Sequence, residues 1–123
     1  MQDFKKLMVW KKSHDLTMRV YNLTSQFPRE EIYGLTSQIR RASASIPTNI
    51  AEDCGRKSSA EFARFLQIAI GSTSETEYLL FLAHDLKYLG SDQYVQLEDM
   101  TTSVKKMLIT LLKRLETQNP VML

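Results

Sequence analysis

Pro28, Gly34, Gly55, Gly90 and Pro120 interrupt this 123-residue chain at long intervals, and each interval carries helical rather than strand periodicity. With only four Gly and three Pro in all, the chain has too few turn residues for the many short connections of a sandwich or barrel. The first interval places Val9, Leu16, Val20, Leu23 and Phe27 on one face, beside a row of Trp10, His14, Thr17 and Tyr21. It predicts a helix from about Val9 to Gln26, ended by Phe27-Pro28 because the residue before a proline is pushed out of the α region.

A second helix is expected from Tyr33-Gly34-Leu35 to Gly55, with Leu35, Ile39, Ala42, Ile46, Ile50 and Cys54 as its apolar stripe. Pro47 lies inside it, removing a backbone donor and crowding the carbonyl four residues back, at about 3 kcal/mol in a plain helix interior. The stripe keeps its phase across Pro47. A kinked but continuous helix follows, with Ser43, Thr48, Asn49 or a water taking up the freed carbonyl.

The third helix is expected to open after Ser58-Ser59 and run to Leu89, where Gly90 stops it. At about 30 residues it would be the longest element, roughly 45 Å against roughly 27 Å for the first. The fourth runs from about Asp92 to Gln118 with Leu97, Met100, Val104, Met107 or Leu108, Leu111 and Leu115 inward, and Asn119-Pro120 ends it. Short links favour antiparallel neighbours, so the expected fold is all-α: one domain over residues 1–123, an up-down-up-down four-helix bundle.

Tyr78-Leu79-Leu80-Phe81-Leu82 are five consecutive apolar residues and circle the third helix at 100° each. A bundle helix buries one stripe, so Tyr78, Leu79, Phe81 and Leu82 are expected to meet further copies of the same chain. The run of mostly small side chains at Ala69–Ser74 would let a helix backbone approach closely. The alternative is that this is the central helix of an irregular bundle.

The residues offer little chemistry. His14 and His84, the two histidines, have no ligand at zinc-motif spacing. Cys54 sits on the apolar stripe without a basic neighbour there, and as the single cysteine it permits no internal disulfide. No phosphate-cradling Gly loop or GxSxG occurs, and the acids of the third helix lack the Glu-x-x-His pattern of di-iron bundles. No catalytic residue, metal or cofactor is therefore expected. No apolar run reaches the roughly 20 residues of a membrane span, and the first residues lead into no apolar signal region, so the expected compartment is the cytoplasm.

Net charge is only +2, from 16 basic and 14 acidic residues, yet 12 of the 16 cations fall in six dibasic pairs. Repeated around a symmetry axis, such pairs can form a positive collar for phosphates. Arg40, Arg41, Arg56, Lys57, Arg64, Lys105 and Lys106 are the candidate nucleic-acid contacts. Asn49, Glu52, Arg41, Arg64 and Glu75 are expected to pair in an interhelix network if assembly buries them.

Specific residues then resemble a known family. Phe4, Leu7, Val9-Trp10, Phe27-Pro28, Gly34-Leu35-Thr36, Gln38-Ile39-Arg40-Arg41-Ala42, Ser45-Ile46-Pro47-Thr48-Asn49-Ile50-Ala51-Glu52, Phe62, Arg64-Phe65-Leu66 and Gly71-Ser72 with Glu75 resemble the four-helix bundle proteins of the 23S rRNA intervening-sequence family. The resemblance implies a ring-shaped homopentamer without known catalytic residues. It also implies kinship with retroelement accessory proteins, which bind nucleic acid and a reverse transcriptase through a basic surface. The family pattern places Gly directly after Ala-Glu, whereas here Asp53-Cys54 intervene before Gly55, so helix 2 is expected to end a turn later. The expected function is a non-enzymatic oligomeric module that binds RNA or DNA phosphates. The alternative is a structural scaffold that docks a protein partner and leaves nucleic acid alone.

Overall fold

The computed structural model describes residues 3–55 and 58–118. The described residues form four α-helices, α1 (Met8–Thr24), α2 (Leu35–Asp53), α3 (Ser59–Asp85) and α4 (Ser91–Gln118), with 3-10 turns at Phe4–Lys6 and Arg29–Glu31. No strand occurs among the described residues. Each helix packs on its chain neighbours and α1 closes the set against α4, which gives the up-down-up-down four-helix bundle.

The apolar stripes meet at the centre. Leu16, Val20, Ile39, Ile46, Leu66, Leu80, Leu97 and Leu108 are fully or almost fully buried there. Three of the buried hydroxyls that share the core are satisfied within their own helices, because Thr24, Thr76 and Thr101 each donate to the carbonyl four residues earlier.

Helix α2 runs unbroken across Pro47. The carbonyl freed by the missing N–H belongs to Ser43, and the hydroxyl that reaches it is that of Thr17 on α1, at 3.0 Å. Thr17 Oγ1 also lies 3.0 Å from the Ser13 carbonyl, so its proton is shared between the two helices. The donor thus comes from another helix, not from Ser43, Thr48 or Asn49 on α2 itself. Thr48 and Asn49 instead donate back to Ala44 and Ser45.

Helix α3 stops four residues before the expected Leu89. Lys87 takes the left-handed conformation at φ 66°, and the Tyr88 and Lys87 amides donate to the Ala83 and His84 carbonyls at 2.9 Å each, closing the helix before Gly90 is reached. Gly90 begins α4 instead: its carbonyl accepts from Tyr94 N and its amide donates to Gln93 Oε1. With 27 residues against 28, α3 does not overhang alone, since α4 runs beside it over the shorter α1 and α2. A left-handed lysine costs about 1 kcal/mol that glycine avoids. Lys87→Gly is expected to raise the urea unfolding free energy by about that amount, and an unchanged or lower value would show that the turn is not strained.

No helix among the described residues is long and apolar enough to cross a membrane.

Candidate nucleic-acid interface

The connection between α1 and α2 spans residues 25–34, longer than bundle helices usually need. It is held in place from the side. Phe27 is buried against the Tyr88 ring at 5.4 Å, and Glu31 bridges two elements, accepting from Tyr88 Oη at 3.0 Å and from Leu35 N at 3.1 Å. Glu31 therefore caps α2 from outside the helix, and Gly34 permits this because a Cβ there would stand 2.8 Å from the carboxylate. The Glu31 bond, more than burial, holds the Tyr88 hydroxyl above its ordinary pKa.

Between this connection and the two helices lies a cleft of about 700 Å³. Arg29, Arg40 and Arg41 line it, and no carboxylate does. Arg40 is braced: its guanidinium lies 4.8 Å from the Tyr21 ring, Nε donates to Thr24 Oγ1 at 2.8 Å, and Nη2 donates to the Tyr21 carbonyl at 3.3 Å. Arg41 is exposed at the same mouth.

The other candidate cations lie elsewhere. Arg64 is exposed near the start of α3, at the end of the bundle away from the cleft. Lys105 faces α3, with Nζ 3.9 Å from Glu77 Oε1. Lys106 is exposed and turns toward α1, beside a groove that includes Met8, Met107 and Leu111. Arg56 and Lys57 lie outside the described residues. Of the seven, the cleft unites Arg40 and Arg41 and adds Arg29, which sequence reasoning missed among its acidic neighbours.

The outer face of α3 is the second unusual surface. Arg64, Ile68, Gly71, Glu75 and Tyr78 recur along it at spacings of three and four, and all are exposed. Tyr78 is 60% and Phe81 48% exposed, whereas Leu79, at 5%, belongs to the chain's own core and Leu82 packs partly against it. Only Tyr78 and Phe81 of the four expected interface residues are thus directed fully outward. A Cβ on Gly71 would meet nothing within 4 Å. Across the α2–α3 contact, Ser45 Oγ lies 2.8 Å from Ser72 Oγ and accepts from Asn49 Nδ2 at 3.0 Å. Within one copy Arg41, Arg64 and Glu75 make no ion pair among the described residues, and the wider network expected around Asn49 concerns faces that assembly would bury.

Residues 5–110 match the family model described as 23S rRNA-intervening sequence protein. The chain belongs to this family. A solved structure from Bacteroides thetaiotaomicron, described as a protein with unknown function from the S23 ribosomal protein family, is similar at 30% identity and a TM-score of 0.78. The similarity covers 86% of this chain and 99% of that one. No curated protein matches.

In this 23S rRNA-intervening sequence protein, α2 ends at Asp53 with Cys54 as its cap, in keeping with the extra residues before Gly55. Burial first, then the carboxylates of Asp53 and Asp3, push the Cys54 thiol up, away from the thiolate that nucleophilic chemistry needs. His14 stacks on Trp10 at 5.0 Å and His84 on Tyr94 at 4.6 Å, so both imidazoles work as flat packing surfaces. Among the described residues, no three His, Cys, Asp or Glu side chains converge as metal ligands would.

Proposed function

We propose that this family member is a self-associating helical module without catalytic chemistry, whose assembled form holds nucleic-acid phosphates. The observation that carries the reading is the uncovered outer face of α3. A bundle with a filled core has no internal use for exposed Ile68, Tyr78 and Phe81 on one helix. Gly71 supports the same reading, because an exposed mid-helix glycine costs about 1 kcal/mol against alanine and no atom of this chain requires it. A second copy explains both, as its helix can approach at Gly71 and cover the flanking rings. Arg64 and Glu75, of opposite charge on that face, supply pairs between copies.

Nucleic acid enters through charge. Each copy contributes exposed Arg41 and Lys106, and symmetry multiplies them around the particle. The contacts go to phosphates, since the chain has no base-reading motif.

Two measurements test this. Light scattering at micromolar protein is expected to give several times 14.2 kDa; five copies, the number that the family resemblance implies, come to about 71 kDa. RNA affinity is expected to fall about 10³-fold between about 50 and 200 mM salt, the response to at least six neutralised phosphates. A 14.2 kDa species overturns self-association. An assembled particle that binds no RNA at low salt leaves the scaffold reading, for which the groove lined by Met8, Met107 and Leu111 offers an apolar seat for a protein partner.

A further inference from the structure

We propose that the cleft between α1 and α2 is a nucleotide site, which seats a phosphate among Arg29, Arg40 and Arg41 and a base against the ring of Tyr33. The inference rests on the nucleic-acid reading for its choice of a base-bearing ligand and goes further by placing the contact. Three arginines line one cleft that no acidic residue lines, and neither Arg29 nor Arg41 has an ion-pair partner among the described residues. Cations gathered on one cleft without acidic neighbours in its lining favour an anion there. Guanidinium is the side chain whose paired donors match phosphate oxygens. Arg40 is the fixed member, since its bonds to Thr24 and the Tyr21 carbonyl use two donors and leave three.

The floor of the cleft supplies further donors. Thr36 and Ser37, both in its lining, occupy the first turn of α2, where backbone amides point out of the helix and favour an anion. Of the first-turn amides Glu31 takes that of Leu35, and Glu31 does not line the cleft. Thr36 is 6% exposed, yet its Oγ1 has no hydrogen-bond partner. Buried hydroxyls are rarely left so, and an oxygen of a ligand seated here relieves it after a side-chain rotation.

The ligand is larger than phosphate alone. At about 700 Å³ the space is of the size that small-molecule sites occupy. Tyr33 at its rim is 97% exposed, a ring that takes no part in the core and is free to stack on a base.

The test uses the whole, assembled protein with three probes: inorganic phosphate, AMP and a single-stranded uridylate oligomer. Each is expected to shift the backbone amide signals of Thr36 and Ser37, with AMP binding about tenfold tighter than phosphate through the stacking contact. Tyr33→Ala is expected to erase that advantage and leave phosphate binding unchanged, and Arg41→Gln to weaken every probe about tenfold. Thr36→Val separates ligand from fold: it is expected to leave the unfolding midpoint unchanged or raised while AMP binding drops. Unmoved amide signals, or Thr36→Val and Arg41→Gln proteins that bind AMP as the parent does, overturn the proposal. RNA that binds the particle without shifting these signals also overturns the cleft assignment, although the nucleic-acid reading survives. AMP that shifts them while the oligomer fails to bind supports a mononucleotide site and defeats that reading instead.

Discussion

Thr17→Val is expected to destabilise this bundle by about 2 kcal/mol, a large share of the roughly 5–15 kcal/mol that holds a domain of this size together. The substitution keeps the shape of the side chain and removes one hydroxyl. That hydroxyl donates to the Ser43 carbonyl, the group that Pro47 cannot serve because it has no N–H. Both partners lie in the interior: Ser43 is fully buried and Thr17 nearly so. A buried carbonyl left without a donor loses its water and gains nothing in exchange, so the full desolvation cost falls on the variant. Thr17→Ser restores the donor and is expected to recover most of the loss. The decisive comparison is Pro47→Ala in both backgrounds. Alanine at position 47 returns the helix's own N–H to Ser43, so Thr17→Val should cost much less there, a coupling that urea unfolding of the four proteins reads directly. Equal costs in the two backgrounds would show that Thr17 acts by packing alone.

The apolar stripes made the helices legible because a period of three to four residues needs no knowledge of neighbours. Leu35 through Cys54 kept their phase across Pro47, and that phase alone indicated one continuous helix. The identity of the donor was hidden, because Thr17 and Ser43 meet only through the register of α1 against α2. The end of α3 was hidden for a different reason. Lys87 adopts a conformation that favours glycine, while a true glycine, Gly90, stands three residues further on and serves the next helix.

Charge was the least legible layer. Adjacent residues on a helix lie 100° apart, so a dibasic pair divides between faces instead of adding up: Lys105 turns to Glu77 on α3 and Lys106 to the α1 side. Arg40 and Arg41 share a cleft because a loop folds over both, and that loop brings Arg29 and Tyr33 to them. The available signal was the length of the α1–α2 connection, since long ordered loops on a rigid bundle are where binding groups collect. Likewise, the run Tyr78–Leu82 pointed to an apolar helix but could not say which of its residues the chain itself would use. Burial assigns Leu79 to the core and leaves Tyr78 and Phe81 outside.

Substitutions at Gly71 are expected to separate the stability of the chain from that of its assembly, with opposite signs. In a lone bundle the Cβ of Gly71→Ala points into open space on an exposed helix face, so the change is expected to stabilise α3 by about 1 kcal/mol. In the proposed assembly, the same methyl group would stand where a second helix backbone approaches closely, and is expected to hold the two apart. Gly71→Ala is therefore expected to raise the unfolding midpoint of dissociated protein while shifting the particle toward smaller species. Gly71→Arg enlarges the obstacle and adds a charge, and is expected to reduce the mass to 14.2 kDa with helix content unchanged. Tyr78→Lys approaches the same surface through a residue that is 60% exposed, so its effect on the chain's own fold is small. Leu82→Lys is the weaker choice because Leu82 packs partly on the core, and a smaller particle could then reflect unfolding. Sedimentation velocity with circular dichroism on the same samples distinguishes the cases. A folded Gly71→Arg protein that keeps the parent's mass would place the contact between copies on some other face and leave the glycine without a role.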